Sequence, residues 1–261
     1  MFKIGINWDR HSTLPNNDKI KLLVSAKVTN IEIHTTDVET YKDDYTEVLK
    51  SLHRNGLGIT LHGRNLLTMM SECNLHETLR NEETHLSSLR KVLNETGHNY
   101  ITTMVCHMNN YAHTVLQETL VPLYEKYKFI LIGETLTQGG RPDSSDTKWA
   151  IIEDRNSYYC WDMGHTFSNH LKYGDKRFPN VMTLDKIIHT HIHTGDHHKY
   201  TGNLYDELEM LYLSGYKGVY SLECDFSSNV SFLDGLKSIN TLNQQLETIR
   251  LKNKEVHLTR Q

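Results

Sequence analysis

The chain has 261 residues, of which 38% are hydrophobic and only four are prolines, a composition that suits one large α/β domain or two small ones. Its 28 basic against 32 acidic residues give a formal net charge of −4, so the overall charge offers no basic footprint for nucleic acid. No apolar run approaches the roughly 18 residues of a membrane span, and the first residues are too polar for a signal peptide. We therefore expect a cytoplasmic protein without a membrane partner.

Short apolar runs alternate with helical patterns along the chain, which is typical of repeated strand–helix units and a parallel sheet. Strands are predicted, in chain order, at 3–7, 30–34, 58–62, 100–107, 129–134, 158–162, 187–193 and 219–223. Helices are predicted at 18–26, 45–55, 75–96, 114–127, 148–154, 204–214 and 230–251. Loops are predicted at 138–146 and over most of 166–180, and the charged tail 252–261 is expected to be frayed.

Eight strand–helix units in a chain of this length predict a (β/α)8 TIM barrel that forms one domain over residues 1–261. The competing architecture is a doubly wound open sheet. That fold would need a glycine-rich phosphate turn after the first strand, and the segment 7–11, Asn-Trp-Asp-Arg-His, contains no glycine. The barrel is therefore the preferred interpretation.

The densest group of potential metal-binding side chains lies in the stretch 187–198, Ile-Ile-His-Thr-His-Ile-His-Thr-Gly-Asp-His-His. Its beginning is predicted to be a strand, on which alternate side chains share a face. His189, His191 and His193 therefore point the same way, and Asp196 and His198 follow the break at Gly195. Because imidazole is the commonest metal ligand among side chains, this stretch predicts half of a metal site.

The other predicted strands end in groups of the same kind. The candidate ligands at or just after the ends of strands three to eight are His62, His107, Glu134, Asp162, His165, His193, Asp196, His198 and Glu223. Active sites of (β/α)8 barrels lie at this end of the strands. Nine ligands are too many for one ion, so two or three divalent metal ions are expected, with zinc first and manganese or iron as alternatives.

The cysteines are expected to be free and buried. Cys106, Cys160 and Cys224 lie in apolar, strand-like runs and form no C-x-x-C pair, which favours thiols in a reducing compartment. We expect Cys106 and Cys160 to point away from the barrel axis and not to bind metal.

Short motifs give the chain a resemblance to the xylose isomerase-like TIM barrels (AP endonuclease family 2), which include endonuclease IV and sugar epimerases. The segment from Cys160 to Phe167 resembles the D-x-x-H motif that follows strand six of these proteins. His191-Ile-His193-Thr-Gly-Asp196 is similar to their H-x-H-x-x-D motif, which implies that His193 is the metal ligand of strand seven. The remaining correspondences are the strand-end glutamates Glu134 and Glu223, the D-x-H pair Asp196 and His198, and the two histidines that complete a three-metal cluster in endonuclease IV, His62 and His107.

The resemblance implies a divalent-metal-dependent phosphoesterase of endonuclease IV type, in which clustered ions activate water and Glu134 bridges two of them. The alternative is a sugar or sugar-phosphate isomerase or epimerase. In that case one ion is held by Glu134, Asp162, His193 and Glu223, while the two glutamates form an acid/base pair. A non-catalytic metal-binding barrel is the third hypothesis.

The substrate is left open by the sequence. Gly-Arg-Asn follows His62 and Met-Asn-Asn follows His107, where endonuclease IV carries Pro-Tyr and Pro-Gly segments. The expected partner is thus a small phosphorylated or sugar substrate, or damaged DNA, and no protein partner is implied.

Several other residues near strand ends are assigned to substrate or supporting roles. Arg64 and Arg141 are candidates for binding the substrate or its phosphate. Residues 8–11 either line the barrel mouth or form a polar loop. Glu32 and His34 are expected to support metal ligands, and His189 and His191 to do the same or to face solvent.

Overall fold

The computed structural model describes residues 2–63, 75–107, 119–134, 158–173, 184–194, 199–226 and 230–258. Eight parallel strands form a closed barrel in sequence order, and β1 pairs with β8 to complete it. The strands are β1 Lys3–Asn7, β2 Asn30–His34, β3 Gly58–His62, β4 Thr102–His107, β5 Phe129–Glu134, β6 Tyr158–Asp162, β7 Ile187–Ile192 and β8 Val219–Leu222. The predicted (β/α)8 barrel is confirmed.

Helices follow the strands along the chain and surround the barrel. They are α1 Asn16–Ser25, α2 Thr35–Thr40, α3 Lys42–Arg54, α4 Leu75–Glu95, α5 Val121–Lys126, α6 Met163–Tyr173, α7 Tyr205–Leu213 and α8 Phe232–Leu258, with a 3-10 turn at Leu184–Lys186. Over the described residues, no helix is both long and apolar enough to cross a membrane.

Two segments differ from the sequence-based expectations. Helix α6 occupies the beginning of 166–180, where a loop was expected, and α8 continues to Leu258 instead of ending at Leu251. The expected fraying of the tail stays a prediction. Helix α6 forms because Asp162 caps its first turn, with its Oδ1 accepting a hydrogen bond from the backbone N–H of His165 at 2.6 Å. The predicted loop 138–146 and helix 148–154 lie outside the described residues.

The apolar core lies mainly between the outward faces of the strands and the helices. Side chains such as Ile4, Ile33 and Leu61 are fully buried there, as expected for a barrel whose helices cover the sheet. A separate small cluster consists of Val105, Ile132 and Cys160. Each of these three precedes a candidate ligand by two residues, so it shares the inward face of its strand.

Cys160 corrects one expectation. Its sulfur lies within 4.8 Å of ring nitrogens of His189 and His191, so the prediction that Cys160 points away from the barrel axis is wrong. Cys160 and Asp162 are two residues apart on β6 and therefore face the same way. Cys106 belongs instead to the outer core, and the thiols of Cys106, Cys160 and Cys224 are free and buried, as predicted.

Candidate active site

The carboxyl ends of the strands bring seven of the nine predicted ligands to one end of the barrel. These are His62, His107, Glu134, Asp162, His165, His193 and Glu223. The other two predicted ligands, Asp196 and His198, and the predicted substrate-binding residues Arg64 and Arg141 lie outside the described residues.

Glu134, at the end of β5, is the centre of this group. Its Oε2 lies 3.1 Å from His107 Nε2 and 3.3 Å from His62 Nε2, and its Oε1 lies 2.9 Å from His191 Nδ1. Burial opposes ionisation of this carboxyl, but the positive charge of His191 and the three histidine contacts hold its pKa well below the usual range. Glu134 is therefore ionised at neutral pH. Its contact with His62 in turn helps raise the pKa of that imidazole to about 9, although burial acts in the opposite direction.

Asp162, at the end of β6, forms a second group with two histidines. His165 Nδ1 lies 2.7 Å from its Oδ2, and His193 Nε2 lies 3.1 Å from its Oδ1. Burial disfavours the charged carboxylate, yet the charges of His193 and His165 lower its pKa below the usual value. In return the pKa of His165 is raised to about 9, although burial acts against that charge.

His191 has a more central position than the sequence analysis gave it. Its Nδ1 contacts both Glu134 and Glu223, and lies 3.3 Å from Glu223 Oε2. Its Nε2 lies 3.0 Å from Glu32 Oε1. His189 Nε2 lies 2.7 Å from the other Glu32 oxygen. Both histidines are buried in the barrel interior, so the alternative that they face solvent is wrong. Strand periodicity had put them on the correct face but could not identify the partner on β2.

The donor groups fit a divalent metal ion. Ligand atoms of Glu134, Asp162, His191 and Glu223 lie within 4.8 Å of one another, and so do those of His62, His107 and Glu134 and those of Asp162, His165 and His193. The buried atoms His62 Nε2 and Glu134 Oε2 lie 3.3 Å apart, but within the described part of the chain neither has the geometry of a hydrogen bond. Buried polar atoms are costly without a partner, and mixed carboxylate and imidazole donors suit zinc, manganese or iron.

A cavity of ≈370 Å³ is lined by one of these candidate ligands, Glu223, and by His34 at the end of β2. Trp8, Arg10 and His11 line it, so these residues of the β1–α1 loop belong to the barrel mouth, the first of the two alternatives considered for them. The guanidinium of Arg10 forms an ion pair with Asp37, which also lines this cavity. The cavity thus has both hydrogen-bond donors and acceptors within reach of the candidate metal ligands.

A glycine allows β7 and α6 to approach each other at the site. A Cβ added to Gly164 would lie 2.4 Å from Cε1 of the fully buried His193 ring, so one of the two must shift. We expect Gly164→Ala to displace His193 from Asp162 and to weaken metal binding by about 10–100-fold, as for other losses of ligand orientation. Competition titration with a chromophoric chelator measures this, with Ser168→Ala on the same helix as the control. Equal affinity in both variants would contradict the expected role of His193.

No protein-family model and no curated protein sequence matches the chain, but solved structures do. L-ribulose 3-epimerase matches with a TM-score of 0.68 and 14% identity over 98% of this chain and 98% of that protein. D-psicose 3-epimerase with D-tagatose from Clostridium cellulolyticum H10 matches with a TM-score of 0.61 and 13% identity, covering 98% of this chain and 99% of that one. A xylose isomerase-like TIM barrel/4-hydroxyphenylpyruvate dioxygenase fusion protein matches with a TM-score of 0.67 and 16% identity over 98% of this chain, which spans 44% of that longer protein.

The fold is therefore that of the xylose isomerase-like TIM barrels, as the sequence motifs had indicated. At these identities the likeness establishes architecture alone. The resemblance to endonuclease IV in particular is not shown by these structures and stays a prediction from the sequence.

Proposed function

We propose that this protein is a metal-dependent sugar isomerase or epimerase, which was the alternative hypothesis from the sequence. The observation that carries this proposal is the convergence of three carboxylates and one histidine, Glu134, Asp162, Glu223 and His191, within 4.8 Å at the barrel mouth. Two of the structural neighbours with full-length coverage are described as 3-epimerases of ketose sugars. These activities belong to the neighbours and support an epimerase reaction here, while the substrate of this chain is a separate question.

One divalent ion would be held by Glu134, Asp162, Glu223 and a histidine that lies in β7 or directly follows it. His193 is the histidine that the sequence motif indicates, whereas His191 is the one whose Nδ1 lies against Glu134 and Glu223. Because Nε2 of His191 already contacts Glu32, we assign His191 to orienting the two glutamates and His193 to the ion. When bound, the ion supplies a positive charge that polarises a carbonyl group and makes the neighbouring C–H bond more acidic.

The two glutamates perform the proton transfers in this proposal. Glu134 is ionised, as its low pKa requires, so its carboxylate is able to accept the proton from the carbon next to the carbonyl. Glu223 follows β8, three strands further around the barrel. It begins the cycle protonated and gives that proton to the same carbon from the other face, and the proton that Glu134 has taken is exchanged through solvent before the next turnover. Removal on one face and return on the other invert the configuration of that carbon.

The cavity beside Glu223 is suited to a polyhydroxylated substrate. Its wall combines the Arg10–Asp37 ion pair with the ring of His11, so both donors and acceptors are available for hydroxyl groups. Because the guanidinium of Arg10 is already paired with Asp37, this pocket favours a neutral sugar over a phosphorylated one.

A multinuclear phosphoesterase is the second candidate, and one observation favours it. His62 and His107 both approach Glu134 Oε2, which would create a further metal site next to the first. A one-metal epimerase has no need of these histidines, whereas clustered ions that share a carboxylate are typical of phosphoester hydrolysis.

His107→Ala separates the two candidates. If the enzyme is an epimerase with one ion, we expect elemental analysis of chelator-free protein to give one ion per chain and His107→Ala to retain most of its turnover. The assay panel consists of ketose and aldose epimer pairs, small phosphoesters and an abasic-site duplex. His53→Ala, an exposed histidine on α3, is the matched control.

Two results would overturn the epimerase proposal. One is phosphate release or strand incision without epimerisation by the metal-loaded protein. The other is a content of two or three ions, with one ion and nearly all activity lost in His107→Ala but not in His53→Ala.

A further inference from the structure

The end of the barrel opposite the candidate active site contains a second cavity, of ≈630 Å³, which we call the rear cavity. It opens where β1 and β8 begin and is bordered by α7 and α8. Four aromatic side chains contribute to its wall, namely Phe2, Tyr212, Tyr216 and Tyr220. Its volume falls within the roughly 300–1,000 Å³ of small-molecule sites.

Basic residues surround the rear cavity in a chain whose net charge is −4. Lys3, Lys27, Lys217 and Arg250 line it, together with the single acid Glu247. Arg250 Nε donates a hydrogen bond to Glu247 Oε2 at 2.8 Å, so these two charges offset each other. The three lysines form no ion pair with any residue that the structure describes, which leaves a local excess of positive charge.

Tyr220 gives the aromatic wall of the rear cavity a rigid base. Its side chain is 2% exposed, and within the described ranges its hydroxyl has no hydrogen-bond partner. The rings of Phe2 and Tyr216 pack edge-on against it at 5.9 and 5.0 Å and fix its position. Burial raises the pKa of Tyr220, so the hydroxyl keeps its proton and remains a donor. The hydroxyl itself has no accessible surface, so a ligand in the cavity contacts the aromatic wall and does not reach this group.

We propose that the rear cavity binds a small anion that carries a planar ring, of the nucleoside monophosphate class. The lysine ammonium groups bind the phosphate, and the aromatic wall contacts the planar ring. Active sites of (β/α)8 barrels lie at the other end of the strands. The rear cavity is therefore a binding site separate from the proposed catalysis, and it does not depend on that proposal.

Adenosine 5′-monophosphate is the probe for this site, titrated calorimetrically into the full, metal-loaded protein. We expect saturable binding that weakens as salt is added, with at least tenfold weaker binding of inorganic phosphate and of adenosine. Lys27→Gln and Lys217→Gln should each weaken binding about fivefold to tenfold, the size of one screened charge contact. Lys91→Gln, an exposed lysine on α4, is the matched control and should bind as the unaltered protein does.

Tyr220→Phe is a second control, because it removes the buried hydroxyl without disturbing the packing of the ring. We expect unchanged nucleotide binding together with an unchanged or higher free energy of unfolding, because the lost hydroxyl is inaccessible and has no partner among the described residues. The proposal is overturned if binding is not saturable, if phosphate alone binds as tightly, or if the lysine variants match Lys91→Gln. Unchanged metal content in these variants would keep the result distinct from any failure of the epimerase proposal.

Discussion

Glu134→Gln and Glu223→Gln are each expected to lower turnover by about 10²–10⁴-fold, the contribution of a positioned acid or base. Glutamine keeps the size of the side chain but is unable to accept and return a proton. At position 134 the substitution also removes a buried negative charge that faces three histidines. The measurement is steady-state epimerisation of ketose pairs, with metal content determined on the same samples.

Glu125→Gln on the surface of α5 is the matched control and should leave both activity and metal content unchanged. Full metal content combined with lost turnover in Glu223→Gln would support the proton-transfer role directly. Turnover near that of the unaltered enzyme in both variants would refute the acid/base pair.

Arg90→Ala is expected to lower the free energy of unfolding by about 3–5 kcal/mol, because it leaves several buried acceptors unsatisfied. The buried guanidinium on α4 donates hydrogen bonds to four backbone carbonyls. These belong to Tyr127 at 2.7 Å, His98 at 3.1 Å, Tyr100 at 3.2 Å and Lys128 at 2.7 Å. It thereby connects the segments that enter β4 and β5, and it lies over the Phe129 ring at 4.3 Å.

Urea unfolding followed by circular dichroism measures this loss. Arg80→Ala, an exposed arginine two to three turns earlier on the same helix, is the control for helix propensity and charge, and should change the free energy of unfolding by less than about 0.5 kcal/mol. Similar values for the two variants would show that the carbonyl contacts of Arg90 contribute little.

Five strands have the bounds that the sequence predicted, namely β1, β2, β3, β5 and β6. Each is a short run of β-branched and aromatic residues between turn residues, a local signal that tertiary packing has no reason to override. Helix α6 was missed because its first-turn cap is the side chain of Asp162, a residue interpreted only as a metal ligand. The same carboxylate caps the helix and faces His165 and His193.

The sequence by itself determined which side chains stand at strand ends and, with the exception of Cys160, which of those considered face the barrel interior, because strand periodicity and element order are local properties. Only the tertiary structure decided which of them meet. Glu32 on β2 contacts His191 on β7, and this pairing across the barrel depends on closure of the sheet between β1 and β8. The positive charge at the rear cavity likewise comes from Lys3, Lys27 and Lys217, which are far apart in the chain. Their proximity is a consequence of strand order and barrel closure, which no local pattern contains.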